Sequence, residues 1–484
     1  MAEATAISAP KIEAQFAHWM GAVIEEHAAA GAALEADPVH DLRVALRRCL
    51  SMAEVFRTLD PDAAWSDLHK QGQRLFKRLG RLRDTQVLLD WVKRIAPDAG
   101  PGPVGEALLR QLTETEREEE REARKALTRF NRKRWKPWAE HLAAHAARLP
   151  ADGPAAEYLA TERWEQAYAL HRKAVRGGSH SAFHRARIGL KKFRYTVENF
   201  LPMRAAGWLN DLKEMQDALG ELHDLDLLLA MVRSLGKLGD TRERRRWKER
   251  IEELSAERIR VYREKMSGPR SLWLAWRRAL PQGKALDAAA MAWIEAWAAF
   301  LTPDLDHAKH VRKLALELYD QLAAAGMGGA QGNGDTRRVL EIAALAHDVG
   351  RAGGPRSHHK RSCRMIAQRR APLGWTAEEM RLAGLVARYH RRALPQARHA
   401  GFRRLPPDRR QKVLLLAGIL RLANAFDRDH DASVRSLRAR IGRDGIAIRA
   451  GGYTGAEPRA SYIASARHLF EIACKRPVSV LPET

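Results

Sequence analysis

The chain carries only three cysteines, Cys49, Cys363 and Cys474, far apart and odd in number. No disulfide framework is expected, and a reducing, cytoplasmic setting fits. Residues 1–10 have no basic start leading into an apolar core, so no signal peptide is expected. Long hydrophobic runs are missing as well. The most apolar stretch, 285–301, is rich in Ala and interrupted by Asp287 and Glu295, so it reads as a soluble helix and no membrane contact is expected. Neither Gly-x-x-x-x-Gly-Lys nor another Gly-rich phosphate loop occurs. Acids are scarce beside bases: 59 Asp and Glu against 84 Lys and Arg leave a formal charge of +25. That excess points to a polyanionic partner, whether nucleic acid, anionic membrane or polyphosphate.

What is present is mostly helix. Apolar residues recur at helical spacing between breaks at Pro97 to Pro103, Pro150 to Pro154, Gly177 to Ser179, Gly268-Pro269, Pro281 to Gly283 and Gly326 to Gly334. The length allows two or three domains. One exception to helix lies near the C-terminus. Leu437, Ala439 and Ile441 alternate with polar residues, a turn follows at 442–445, and Ile446 and Ile448 resume the alternation, which predicts a β-hairpin.

The first 280 residues contain an internal repeat. His40, Arg43, Arg47, Arg48, Glu54 and Phe56 recur at identical spacing as His184, Arg187, Lys191, Lys192, Glu198 and Phe200. Leu79-Gly80, Leu82 and Asp84 recur as Leu219-Gly220, Leu222 and Asp224, and Trp135 and Trp138 as Trp273 and Trp276. Each half is expected to be a helical bundle, about 10–150 and 155–280, inside a domain spanning 1–283.

At about 100° per residue, His40, Arg43 and Arg47 fall on one helix face, opposite Leu42, Cys49, Ala53 and Phe56. The next helix adds Lys70, Arg74, Lys77, Arg78 and Arg81 on one stripe. Cations aligned this way repel one another unless an anion screens them. Both helices are expected to face a shared cavity. A chain of phosphates suits such faces, since it offers charge and acceptor oxygens but no base to read. A nucleic-acid binder more often interleaves aromatic residues for stacking. The second copy departs from the pattern: Arg74, Lys77 and Arg81 correspond to Glu214, Asp217 and Glu221.

The duplicated His-x-x-Arg-x-x-x-basic-basic pattern, followed by Leu-Gly-x-Leu-x-Asp, resembles the CHAD family of conserved-histidine α-helical domains over roughly 10–280. The resemblance implies two bundles related by a pseudo-twofold, a basic channel and binding of inorganic polyphosphate, with polyphosphate granules as a location. It makes His40, Arg43, Arg47, Arg48, His184, Arg187, Lys191 and Lys192 the channel residues, beside Arg74, Lys77, Arg78 and Arg81.

His-Asp dipeptides occur four times, and the context of His347-Asp348 sets it apart: it ends an apolar helix and precedes Val349-Gly350-Arg351. A helix end can present two adjacent ligands. His307 and Asp427, on other amphipathic helices, are expected to complete a His, His, Asp, Asp set suited to Mn²⁺, Mg²⁺ or Fe²⁺. Arg351, His358, His359, Lys360, Arg388, His390 and Arg391 are candidate phosphate-binding residues nearby. Over 285–484, His307-Ala308, Ala346 to Arg351, His358-His359-Lys360, Arg388 to Arg391 and Leu422 to Arg428 together resemble the C-terminal HD-type domain of the exopolyphosphatase and guanosine-pentaphosphatase family. That family's catalytic phosphate loops lie in an actin-like half which has no counterpart in this sequence, so its hydrolase activity does not transfer automatically.

The expected fold is all-α: duplicated bundles followed by an HD-type domain at 284–484 with one small hairpin. The expected function is polyphosphate binding, the second domain being either a metal-dependent phosphohydrolase or an extension of the binding surface. Two alternatives stay open: a basic RNA- or DNA-binding protein, and a nucleotide phosphohydrolase whose helical half only scaffolds.

Overall fold

A computed structural model describes residues 11–32, 34–99, 102–204, 206–235, 241–327 and 334–483. The chain divides into two compact units, Met1–Ala289 and Ala290–Thr484. The predicted breaks at 97–103 and 326–334 lie partly outside the described residues, and Pro97 falls within a helix; the other breaks separate helices.

The first unit repeats a five-helix order. Its first half holds α1 (Ile12–Ala32), α2 (Ala36–Leu59), α3 (Ala63–Ala99), α4 (Pro103–Arg129) and α5 (Arg132–Ala146). The second holds α6 (Pro154–Gly177), α7 (His180–Phe200), α8 (Leu209–Ser234), α9 (Thr241–Met266) and α10 (Leu272–Ala279). Ser179 starts α7 by accepting a hydrogen bond from the Ala182 amide at 3.3 Å, which supplies a partner that the first helical turn otherwise lacks. Each half has an aromatic core. Phe56 stacks on Trp65 at 4.6 Å beside Phe16, Trp135 meets Phe130 at 5.1 Å, and in the second half Trp273, Trp276 and Phe193 meet within 6.2 Å. The repeated His-x-x-Arg helices, α2 and α7, pack against each other. A further core of Leu88, Trp91, Leu108, Leu228, Trp247 and Ile251 draws on α3, α4, α8 and α9, so the two halves share buried surface.

The second unit runs from within α11 (Gly283–Leu301) through α12 (Leu305–Ala324), α13 (Gly334–Ala346), α14 (His358–Gln368), α15 (Ala377–Arg388), α16 (Ala400–Arg403) and α17 (Pro407–Phe426) to α18 (Arg459–Cys474). The expected hairpin is β1 (Ser436–Ile441) antiparallel to β2 (Ile446–Gly451), with Leu437 opposite Ala450. A third strand, β3 (Val478–Pro482), joins β2 in parallel. Prolines at 477 and 482 bracket it, which hides so short a strand from pattern reading. The outer edge of β1 does not stay bare: Gln321 on α12 accepts from the Ala439 amide at 2.8 Å and donates to the Leu437 carbonyl at 2.7 Å. No helix among the described residues is long and apolar enough to cross a membrane.

Trp273 is fully buried. Trp273→Ala is expected to cost about 3–5 kcal/mol. Because the halves share a core, amide exchange in α2 should accelerate along with that in α7. Acceleration confined to α6–α10 would show that the halves open independently.

Candidate functional site

Two groups of side chains are electrically incomplete, one in each unit. In the first, Arg43 donates to the Phe76 carbonyl at 3.3 Å and lies 4.8 Å from the centre of the Phe76 ring. Gly80 leaves room for it: a Cβ there would stand 2.7 Å from the Arg43 Nη1. In the second copy a Cβ on Gly220 would meet Arg187 Nε only at 3.9 Å, an ordinary contact. Arg47 lies 5.0 Å from the Tyr195 ring. Burial, then the neighbouring charges of Arg187, Arg47 and Arg43, push the Lys191 ammonium down to about 8. Two carboxyls stand among these cations. Burial raises both Asp84 and Asp224, the latter to about 7, against the pull of Arg43 and Arg187. The Nε atoms of Arg47 and Arg187 and the Tyr195 hydroxyl are buried without a hydrogen-bond partner. Buried donors in native proteins are normally satisfied, so these call for an acceptor.

The two repeat histidines flank this cluster differently. His40 is lowered by burial and by Arg83, whereas His184 Nδ1 meets His223 Nδ1 at 3.1 Å. Of the other expected channel residues, Arg48 pairs with Glu198 at 2.5 Å, and Lys192, which lines the same cavity as Arg47, pairs with Glu54 at 2.8 Å. Their charges are answered within the protein. The expected shared cavity is also two cavities. Arg74, Lys77, Arg78 and Arg81 line a groove of about 510 Å³ with Lys125 and Arg129 of α4. Arg47 lines a separate one of about 190 Å³ with Phe76 and Tyr195. The reason is helical: on α3, Phe76 and Gly80 turn toward α2 while Arg74, Arg78 and Arg81 are rotated roughly 100° or more away.

In the second unit the ligand candidates sit at or near helix ends. His347 and Asp348 follow α13, His358 opens α14, His390 follows α15, Asp427 ends α17, and His307 stands in the first turn of α12. The last carbonyls of a helix lack internal partners, and histidines take them. His347 donates Nδ1–H to the Ala344 carbonyl at 2.7 Å and His390 to that of Ala387 at 2.7 Å. His358 donates to Pro355 at 3.0 Å. Each bond places the ring proton on Nδ1 and leaves Nε2 a bare lone pair. These Nε2 atoms converge on Asp348. That of His358 is 3.0 Å from Asp348 Oδ1 and 3.4 Å from His390 Nε2, and that of His347 is buried with no hydrogen-bond partner. Burial holds His347 and His390 below the ordinary histidine range. Burial raises the Asp348 carboxyl, but the surrounding histidines and Arg351 outweigh it and keep the group well below the usual carboxylate range. A proton or a metal cation between these lone pairs would relieve their repulsion.

Two overlapping donor sets result, His307–His347–Asp348 and Asp348–His358–His390, with the donor atoms of each set within 4.8 Å of one another. The residues present thus fit divalent ions, and Asp348 belongs to both sets. Asp427, expected as a ligand, accepts from His307 Nδ1 at 2.7 Å, and Asn424 Oδ1 lies 3.2 Å from His307 Nε2. His358 and His390, expected to bind phosphate, are buried among the ligands. His359, Lys360 and Arg388 do not line the adjoining cavity. Arg351 does, and ion-pairs with Asp348 Oδ2 at 2.7 Å.

That cavity, about 510 Å³, opens beside His307, Asp348 and His390 and is walled by Arg351, Arg391, Arg392, Arg421 and Arg428. Sequence reading missed Arg421 and Arg428. Arg421 donates to the Arg392 carbonyl at 2.7 Å, and its Nη1 is buried without a partner. Its spacing, one turn before Ala425 on the Asp427 helix, was the available signal. Backbone strain gathers here as well: Ser357, just before His358, takes φ 55° and His430 φ 57°.

Gly350 packs where a Cβ would fall 2.3 Å from the His358 carbonyl oxygen. Gly350→Ala is expected to displace the start of α14 and lower bound Mn²⁺ in equilibrium dialysis while helix content is kept. Unchanged metal content would show that the turn is not what places His358.

Residues 11–233 match the family model of the CHAD domain, and residues 292–448 match that of the Ppx/GppA phosphatase, domain III. Among solved structures, the crystal structure of the CHAD domain from the plant Ricinus communis aligns at 21% identity over 55% of this chain and 89% of that one, with a TM-score of 0.36. No curated protein matches the chain.

Proposed function

We propose that this chain, which joins a CHAD domain to a Ppx/GppA phosphatase domain III, binds inorganic polyphosphate in its first unit and hydrolyses phosphoanhydride bonds with divalent metal in its second. The binding half rests on the unpartnered donors of Arg47, Arg187 and Tyr195 beside a depressed Lys191. Phosphate oxygens are acceptors only and would satisfy all of these groups at once. Nucleic acid enters as a competing polyanion. Trp19, Phe76 and Tyr195, rings of the kind that stack bases, each have a guanidinium within about 5 Å of the ring centre.

The hydrolytic half rests on the convergence of Nε2 lone pairs on Asp348. His307, His347 and Asp348 would hold one Mn²⁺, Mg²⁺ or Fe²⁺ and Asp348, His358 and His390 a second. Such ions polarise a phosphoryl oxygen and acidify water. The protein's own part is positional. Arg351 keeps Asp348 ionised and aimed, Asp427 keeps His307 aimed, and Arg391 and Arg421 grip phosphate oxygens in the walled cavity. Arg421 has only burial acting on it, with no carboxylate to answer it, which suits an anion that arrives from outside.

Two experiments test the two halves separately. Calorimetric titration with polyphosphate should show affinity falling about tenfold or more for each of Arg43→Ala and Arg47→Ala. Arg74→Ala with Arg78→Ala reads the α3–α4 groove independently. Metal-loaded protein incubated with polyphosphate, cyclic dinucleotides and (p)ppGpp should release phosphate or phosphate esters from at least one, and Arg421→Ala should raise KM. No product with Mn²⁺, Mg²⁺ or Fe²⁺ would retire the hydrolase reading and leave the binding reading standing.

Affinity is expected to rise as the pH falls from about 9 to about 6. Lys191 gains its charge below about 8 and Asp224 loses its own below about 7, so both changes add positive charge to the cluster. Calorimetry in buffers of different ionisation enthalpy should show net proton uptake on binding near pH 8. Proton release would contradict the assignment of Lys191 to the site.

A further inference from the structure

A second kind of metal site lies in the first unit, away from the arginine cluster. Two histidines one turn apart, His141 and His145, stand on the same face of α5. They meet the corner between α2 and α3, where Asp60 and Asp62 lie. We infer that Asp62, His141 and His145 bind a transition-metal ion of the Zn²⁺ class, with Asp60 orienting His145.

The argument starts at Asp60, whose side chain is only 3% exposed. Its Oδ1 accepts from the Asp62 amide at 3.0 Å, and its Oδ2 accepts from the Trp65 indole at 2.8 Å and from His145 Nδ1 at 2.6 Å. A buried carboxylate so fixed locks the His145 ring and puts its proton on Nδ1. Nε2 is then a lone-pair donor, the arrangement that commonly stands behind metal-binding histidines. On the neighbouring turn, His141 Nε2 lies 2.6 Å from Asp62 Oδ2, while Asp62 Oδ1 is occupied by the Ala64 amide at 2.8 Å. The imidazole centroids are 4.6 Å apart. One donor atom from each of Asp62, His141 and His145 lies within 4.8 Å of the others. A tetrahedral zinc ion with bonds of about 2.0–2.1 Å wants its ligands roughly 3.3 Å apart, which small side-chain rotations reach.

The donor set selects the ion. Two imidazoles and one carboxylate suit Zn²⁺, Co²⁺ or Ni²⁺ and are too poor in oxygen for Ca²⁺ or Mg²⁺. His141 is half exposed, so water can take a fourth position. The ion would brace the end of α5 against the α2–α3 corner, beside the Trp65 and Trp135 core. Neither the proposed polyphosphate cluster nor the proposed HD-type metal centre uses these residues.

The test uses the full-length protein, dialysed against Zn²⁺ without polyphosphate, with bound zinc counted by mass spectrometry. His141→Ala and His145→Ala should each bind one equivalent fewer than the wild type, with phosphate release and polyphosphate affinity unchanged. In the Co²⁺-loaded protein, the intense visible bands of a tetrahedral site should vanish in both variants. Asp60→Asn should keep the stoichiometry but weaken affinity about 10–100-fold. Equal zinc content and equal cobalt spectra in wild type and both histidine variants would overturn the site and leave these contacts as metal-free ion pairs. If His145→Ala does not fold, the half-exposed His141→Ala decides alone: one equivalent lost supports the site, none lost overturns it.

Discussion

Like charges buried together repel, and the first unit gathers Arg43, Arg47, Arg187 and Lys191 around two carboxyls that burial itself holds toward neutrality. Everything else in this unit makes that crowding tolerable. Aromatic rings of Phe76 and Tyr195 lie beside the guanidiniums, Gly80 clears space for one of them, and the core shared by α3, α4, α8 and α9 holds the halves together against the repulsion. Removing one partner from a buried charge network usually costs several kcal/mol. A cluster with so few partners of its own is suited to an anion from outside.

The second unit has the opposite shortage. Its histidines hand their protons to carbonyls at or near helix ends and turn lone pairs inward, an arrangement that suits a divalent cation, and arginines wall the cavity beside it. The helix ends supply the whole device. A carbonyl that the helix cannot pair fixes the tautomer, and the tautomer decides which nitrogen is free to bind metal. Gly350 is part of the same economy of space, because the His347-Asp348 turn must lie directly on the first turn of α14.

Much of this was legible in the sequence. The duplication, the helix breaks and the hairpin follow from periodicity and from Pro and Gly, all local signals. His347-Asp348 was legible because the dipeptide ended an apolar run before Val-Gly-Arg. What was not legible depends on rotation and on long-range partners. Arg48 and Glu198 are 150 residues apart, and nothing local announces that one answers the other. The α3 stripe was correctly read as one face, but the direction of that face depends on Phe76 and Gly80 lying against α2. His358 and His390 read as phosphate-binding because they sit among arginines and lysine; only the folded chain brings their Nε2 atoms to 3.4 Å.

The asymmetry between the repeats gains a physical account. Where the first copy has Arg74 and Arg81, the second has Glu214 and Glu221, and these acids are not idle: Glu214 pairs with Lys265 at 2.6 Å and Glu221 with Arg258, both on α9. The second copy thus spends its α8 face on holding α9. The first keeps its α3 face cationic, with Glu119 of α4 3.9 Å from Arg81 and Glu122 on the groove wall beside Lys125. Duplication supplied two equivalent faces, and pairing within one of them left the other as the open groove. The duplicated helices α3 and α8 thus carry faces of opposite charge, and the one left cationic borders the α3–α4 groove.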